Sequence, residues 1–404
     1  MDSSLTAFID QINAASAAKA PLRIRGGGTK DFYGEPLDAT LPVLDTRSYS
    51  GIVSYEPSEL VITVKAGTPL AEVEAALAEK NQCFAFEPPH FSVGERLESS
   101  SQPPHYVTVR AELVEAPAHA LSQTTIGGMV AAGLAGPARA CVGGVRDYVL
   151  GAHLINGRGE LLEFGGQVMK NVAGYDVSRA LAGSLGTLGL ITQVSLKVLP
   201  LAHAEATLRF EMDEATAIRC CNEWAGQPLP LNASSWVIDE GKPSLYLRLR
   251  GAVAAVESAC KRLASEAGGV RMDSTETQAD WRAASNLQLP WFKDGLARGD
   301  DLWRISVPQT TAPLSLGNTM IDWLGGQRWL FTPSSERTQA AQRIRQAVQS
   351  AGGSTTLFIA NYIDNITAIS RFDAQRPPLN KIHRQLKAEF DPAGIFNPGR
   401  LGVI

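Results

Sequence analysis

Arg25-Gly26-Gly27-Gly28-Thr29 follows directly on Pro21 to Arg25 (PLRIR), a short run that reads as a β-strand. Three consecutive glycines let the backbone enter positive φ and turn successive N–H groups to one side. Such a nest holds anions, pyrophosphate above all, and the Thr29 hydroxyl can add a donor. The plainer alternative is a flexible turn. The spacing is not G-x-G-x-x-G and no helix clearly opens behind it, so a Rossmann fingerprint is not supported. Two further glycine-rich stretches come later. Thr124 to Gly136 (TTIGGMVAAGLAG) is almost all small residues, which fits either tight helix packing or a planar ligand lying on the backbone. Ala182 to Gly189 (AGSLGTLG) runs straight into an apolar stretch, and glycines spaced by three before a strand again mean close backbone approach. Each stretch is weak singly. Three in this order point to one ligand-cradling domain.

The flanking sequence supplies the scaffold. Leu60 to Lys65 (LVITVK) reads as a strand, and Thr68 is placed to cap a helix from Pro69 to Lys80 with Leu70, Val73, Ala76 and Leu77 on one face. Leu190 to Leu199 alternates, with Leu190, Val194, Leu196 and Val198 on one side and Gln193, Ser195 and Lys197 on the other, as a half-buried strand would. From about Ala204 the glycine clusters thin out. Strands such as Ser244 to Arg250 and Leu302 to Val307 then alternate with helices over Val253 to Ala267 and Glu336 to Gln349, the pattern of a smaller α+β domain. Leu379 to Phe390 reads as a helix, followed by a turn-rich tail, Asp391 to Arg400 (DPAGIFNPGR). Residues 92–122, with Ser99-Ser100-Ser101 and Pro103-Pro104, have no clear period and read as an exposed insertion.

The composition narrows the function classes. The chain has 404 residues, 44% hydrophobic and 19% charged, which suits two or three folded domains and excludes disorder along the whole length. A net charge of −4 argues against a nucleic-acid surface. No apolar run reaches the ~20 residues of a membrane span. The N-terminal residues read as an amphipathic helix rather than a secretory signal. A cytoplasmic location is expected. The five cysteines form no CxxC pair and the six histidines are scattered, so neither an iron–sulfur cluster nor another metal site is expected on this chain. Cys220 and Cys221 read as buried thiols rather than a strained vicinal disulfide.

The three glycine segments together resemble the FAD-binding domain of the vanillyl-alcohol oxidase/PCMH flavoprotein superfamily: RGGGT its pyrophosphate loop, TTIGGMVAAG its second cradling segment, GSLGTLGLIT its third, and FDPAGIFNPGR its returning tail. PPHF (Pro88 to Phe91), GGVRDYVLG (Gly143 to Gly151) and KNVAGYDVSRALAGSLGTLG (Lys170 to Gly189) are similar, within the superfamily, to the GlcE family of FAD-binding subunits of bacterial glycolate oxidases. The resemblance runs over residues 20–90, 123–205 and 379–402. It implies an α+β protein: a two-subdomain PCMH-type FAD-binding domain over 1–205, with 92–122 inserted, an α+β cap over 206–378, and a segment 379–404 packing back on the first domain. It implies FAD contacts at Gly26, Gly27, Gly28 and Thr29, then at Thr124, Ile126, Gly127, Gly128 and Ala131, then at Gly186, Thr187, Gly189 and Ile191, with Asn397 in the tail position.

The same resemblance implies a glycolate-oxidising complex, with a larger FAD subunit and an iron–sulfur subunit as partners. A hydride would pass from C2 of a small 2-hydroxy acid to the flavin, and electrons then to another carrier. Through such partners the chain would sit in the cytoplasm or peripherally at the inner membrane. Where some superfamily members link FAD covalently through a loop His, this chain has Thr29, so a non-covalent FAD is expected. About thirty residues separate PPHF from TIGG where the family has a few. The cap also lacks the His-bearing, glycine-rich motif of the larger subunit, its nearby histidines being His203 and His383. The sequence therefore supports holding a flavin better than oxidising glycolate alone. The alternatives are a stand-alone D-lactate or 2-hydroxy-acid dehydrogenase, and a non-catalytic flavin-holding subunit. Arg248 and Arg304, on cap strands, are the candidate partners of a substrate carboxylate, against the alternative of a solvated sheet face. Tyr175 is a candidate hydrogen-bond donor at the flavin edge or a packed core residue, and Asp147 and Asp176 read as loop caps.

Overall fold

The computed structural model describes residues 2–91, 123–166, 176–361 and 369–402. The expected insertion over 92–122, and Lys170 and Tyr175, lie outside them. Helix α1, Ser3–Ala18, follows from its spacing. Leu5, Phe8, Ile12 and Ala15 fall on one stripe and are buried, against Leu44, Leu190, Ile395 and Phe396. Strands β1 (Arg23–Arg25) and β2 (Val43–Asp45) pair in parallel. Leu22, just before β1, forms a bridge with Phe396 of the tail.

Strands β3 (Ile52–Glu56) and β4 (Val61–Lys65) are followed by helix α2 (Leu70–Ala78), strand β5 (Gln82–Cys83), helix α3 (Ile126–Ala132), and strands β6 (Val149–Ile155), β7 (Leu161–Gly165), β8 (Leu190–Lys197) and β9 (Leu199–Pro200). Five of them make a sheet in the order β3-β4-β8-β6-β7. Leu70, Val73 and Leu77 of α2 and Ile126, Met129 and Val130 of α3 share a core with Val64, Val194 and Leu196 of that sheet. One local expectation holds and another fails here. Strand β8 lies in the middle of the sheet with Leu190, Val194 and Leu196 buried on one face and Gln193 and Lys197 partly exposed on the other. Ser195 of that second face is buried, and its hydroxyl pairs with that of Thr63 at 2.9 Å. Thr68 does not cap α2. Its hydroxyl donates to the Lys65 carbonyl at 2.7 Å and accepts from the Gly51 N–H at 2.8 Å. The Leu70 N–H finds the Thr124 carbonyl at 2.7 Å, so the helix start is satisfied by the second glycine segment.

Residues 204–359 build the other sheet: β10 (Ala204–Glu211), β11 (Leu231–Asp239), β12 (Lys242–Gly251), β13 (Val270–Arg271), β14 (Asp301–Ser306), β15 (Thr319–Asp322), β16 (Gln327–Thr332) and β17 (Ser354–Ile359), in the spatial order β13-β10-β12-β11-β15-β16-β14-β17. Strand alternation sorts its faces. Leu245, Leu247 and Leu249 of β12 meet helices Glu214–Ala225 and Val253–Ala267. Trp303 and Ile305 of β14 meet helix Arg337–Ser350. The opposite face presents Leu302, Met320, Trp329 and Phe358 to Tyr33, Ala132 and Leu134 of the first half. The expected division at 205/206 would cut β10, which already begins at Ala204. Cys220 and Cys221 are both buried free thiols. No described helix is long and apolar enough to cross a membrane.

Candidate cofactor-binding cleft

The three glycine segments converge on one cleft of about 740 Å³, within the ~300–1,000 Å³ usual for cofactor sites. Its lining includes Gly26, Gly27, Gly28 and Thr29 from the loop after β1, Gly127, Gly128 and Ala131 from α3, and Gly186, Gly189 and Ile191 from the approach to β8. Asn397 arrives from the tail. Thr124, Ile126 and Thr187 stand behind this wall. The Thr124 hydroxyl pairs with that of Thr29 at 3.0 Å, Ile126 is in the core, and the Thr187 hydroxyl donates to the Ser184 carbonyl at 2.8 Å.

The loop glycines are needed mainly for room. Of the three, Gly28 alone has a positive φ, 74°, so the expected run of left-handed residues does not occur. A Cβ on Gly27 would sit 1.3 Å from the Gln123 carbonyl oxygen, and one on Gly26 would sit 2.3 Å from the Thr125 hydroxyl. The loop is pressed directly onto the segment that opens α3. Thr125 caps that helix, its hydroxyl accepting from the Gly128 N–H at 3.2 Å. Gly127 packs its N–H on the Ala66 carbonyl at 2.8 Å. A Cβ on Gly128, by contrast, would meet nothing closer than that hydroxyl at 3.1 Å, so the α3 backbone lies bare to the cleft. Both readings of this segment therefore hold, packing at Gly127 and an open face at Gly128.

The tail closes the far side. Asn397 accepts from the Ile24 N–H at 2.9 Å and donates to the Leu185 carbonyl at 2.7 Å. It thereby ties β1 to the third segment. A Cβ on Gly186 would meet the Asn397 amide at 2.7 Å. Arg400 donates to the Glu35 and Asp31 carbonyls, each at 2.8 Å, and burial lowers its pKa to about 10. Backbone laid bare by glycine and a wall bearing Arg23, Arg25, Lys30, Arg371 and Arg400 against Asp31 and Asp38 suit a long, anionic, partly planar group. The donor set thus fits a flavin dinucleotide.

Sequence reasoning missed Lys30, Ile359, Ala360, Arg371 and Arg400 as lining residues. Lys30 adjoins the loop motif and Arg400 lies inside the quoted tail, so both were within reach. Ile359 and Ala360 sit at the end of β17, far along the chain, and no local signal marks them.

The two candidate substrate arginines part company. Arg248 and Arg250 share a face of β12, and that face is closed by carboxylates. Arg248 is 2% exposed, donates to Glu87 at 2.6 Å and stacks over Trp281 at 4.9 Å. Arg250 pairs with Glu205 and with Glu87. Arg248 lines neither the cleft nor the smaller cavity at Arg304, and one of its amino groups is paired with Glu87, so it is not placed to meet a substrate carboxylate. Arg304 reaches the Tyr33 hydroxyl at 3.0 Å and lines a second cavity of about 30 Å³ with Asp322, Gln327 and Trp329. Burial raises the Asp322 carboxyl to about 6. Asp147 and Asp176 act as local caps, accepting from the Gly144 N–H at 2.8 Å and the Arg179 N–H at 3.3 Å. Among the described residues, no group of three or more His, Cys, Asp or Glu side chains converges as a metal site would.

Residues 3–94 match the family model of the FAD binding domain, and residues 374–401 that of the C-terminal domain of FAD linked oxidases. The glycolate oxidase subunit GlcE of Escherichia coli strain K12 is 38% identical over 396 residues, which is 98% of this chain and 96% of that protein. The chain belongs to the GlcE family. Beyond GlcE, the glycolate oxidase subunit GlcD of Bacillus subtilis is 27% identical over 49% of this chain and 36% of its own length. A D-lactate dehydrogenase of Archaeoglobus fulgidus is 27% identical over 41% of each chain. Among solved structures, alkyldihydroxyacetonephosphate synthase superposes with a TM-score of 0.64 at 14% identity, covering 96% of this chain and 74% of that one. That likeness extends the shared fold across both halves of the GlcE-type chain.

Proposed function

We propose that this chain is the FAD-holding subunit of a multisubunit glycolate oxidase, which converts glycolate to glyoxylate and includes a GlcD-like larger flavin subunit and an iron–sulfur subunit. The single observation that carries the reading is the cradle. Three glycine segments and a returning tail meet on one cationic cleft, in a chain 38% identical to GlcE along almost its whole length. FAD, when bound, supplies the hydride acceptor and an outlet for electrons. The chain's own residues supply the seat. Gly26 to Thr29 and the Gly128 end of α3 offer backbone to the diphosphate, Ala131, Gly186, Gly189 and Ile191 line the flavin end, and Asn397 locks the seat shut. Thr124, Ile126 and Thr187 position these groups from behind. Thr29, with its hydroxyl paired to Thr124, offers no imidazole to link to the flavin, so FAD is held without a covalent bond. We divide the chain at 204, with a cofactor domain before it, a cap built on the eight-stranded sheet after it, and 379–404 returning to the first.

A second feature favours a flavin-holding rather than self-sufficient role. The cavity at Arg304 has room for about two waters rather than a 2-hydroxy acid, and Arg248 is locked to Glu87. Glycolate oxidation is accordingly assigned to the assembled complex. The test is acid precipitation of the purified chain, followed by anaerobic mixing of FAD-loaded protein with glycolate. Yellow cofactor should appear in the supernatant, and the flavin should bleach in the complex but not in the single chain. Flavin retained in the pellet refutes the non-covalent seat. Rapid bleaching of the single chain establishes a stand-alone dehydrogenase instead.

A further inference from the structure

Lys30 stands immediately after the glycine loop and lines the cleft. Its ammonium group reaches the Thr29 hydroxyl at 3.3 Å and lies 5.9 Å from the centre of the Phe91 ring. Among the described residues no carboxylate comes within ion-pair distance of it. Other charges on the wall are committed within the protein. Arg25 and Arg23 converge on Asp31 at 2.7 and 3.7 Å, Asp38 is turned onto the Thr40 N–H at 2.8 Å, and Arg400 serves main-chain carbonyls. Arg371 donates to the Leu357 carbonyl at 3.4 Å. We propose that Lys30 is kept without a counter-ion so that the diphosphate of the cofactor becomes its partner, and that this pairing draws a proton into the site.

The physical basis is the cost of a charge on an amine that is partly buried in the cleft wall. Burial lowers the Lys30 amine to about 7, so above neutral pH the empty cleft holds mostly the uncharged form. A diphosphate carrying two negative charges against the amine favours the ammonium and raises the pKa again. Binding therefore takes up to one proton wherever the pH lies above 7 and below the raised value. By linkage the affinity is greatest below pH 7 and falls as pH rises, about 50-fold between pH 7 and 9 for one full proton.

The inference rests on the FAD-holding reading, and the experiment separates the two. The full-length apo chain is titrated calorimetrically with FAD at pH 8 in two buffers of different ionisation enthalpy. ADP-ribose, which has the diphosphate without the flavin, and riboflavin, which has the flavin without it, are run beside it. FAD and ADP-ribose should each take up most of a proton, and riboflavin none. Lys30→Met should abolish the uptake, weaken FAD at pH 7 by tenfold or more, and flatten the affinity between pH 7 and 9. Lys30→Arg should keep the affinity but lose its pH dependence. Proton-neutral binding of FAD to the unaltered chain overturns the role of Lys30 and leaves the cofactor seat standing, and it needs no variant to fold. Uptake with riboflavin but not ADP-ribose moves Lys30 to the flavin end and overturns the diphosphate assignment. No FAD binding at all, in any buffer, removes the reading of function and this inference together.

Discussion

A single hydrogen-to-methyl change is the sharpest probe of the cradle. Gly27→Ala places a carbon 1.3 Å from the Gln123 carbonyl oxygen. The loop must then leave the start of α3, taking Gly26 and Gly28 with it. FAD affinity should fall by at least 100-fold, read by flavin fluorescence titration, while the cap keeps its fold by circular dichroism. Gly183→Ala is the control. Its φ is 86° but a Cβ there meets nothing within 4 Å, so only backbone strain of about 1–2 kcal/mol is expected. Clustering alone locates Gly26 to Gly28 in the sequence but suggests the wrong cause. It points to positive φ throughout, whereas two of the three are there because another stretch of chain lies against them. A close approach between Gly27 and Gln123 is a fact about tertiary contact, and residue type alone cannot tell it from a turn.

At the level of elements, local pattern is a sound guide wherever one face decides the structure. Helices Val253–Ala267 and Leu379–Phe390 occur at the expected boundaries, because their apolar periodicity and end signals are local. Strand β8 reads as half-buried, and Gln193 and Lys197 are indeed partly exposed, because alternation sorts the two faces of a strand; it does not show that Ser195 is buried against the Thr63 hydroxyl of β4. The tail is legible through its motif, and its mechanical role is not. Asn397→Ala would orphan the Ile24 N–H and the Leu185 carbonyl together, each costing about 1–3 kcal/mol when buried. Chemical denaturation should show a loss of about 2–4 kcal/mol. FAD should restore part of the lost stability by mass action. An unchanged midpoint would mean that the tail does not clamp the cleft.

Across the whole molecule, the two halves are joined by charge as well as by apolar contact. Glu87 comes from the cofactor half, where one carboxylate oxygen accepts from the Ala138 N–H at 3.1 Å, and its other oxygen meets Arg248 and Arg250 of β12. Glu87→Gln would leave two partly desolvated guanidinium groups sharing Glu205 alone. Breaking one side of a buried ion pair costs about 3–5 kcal/mol. The expected result is a lower unfolding midpoint together with faster proteolysis between the halves, and Glu87→Asp should recover part of both. Arg248 resembles a substrate ligand in its strand pattern because alternation shows that a side chain shares a face and is silent on what lies opposite. That partner, 161 residues earlier in the chain, has no local signature.

The bond between the Ile24 amide and the Asn397 side chain spans 373 residues, and it sets an order of events in the cell. Synthesis proceeds from the N-terminus at ~5–20 residues per second, so the glycine loop waits roughly 20–75 s for the residue that completes its seat. Until Asn397 has left the ribosome, its tie between β1 and the third segment cannot form. The tail's tie is therefore the last of the cleft's contacts to be made, and a seat that includes Asn397 is complete only after residue 397 has been synthesised.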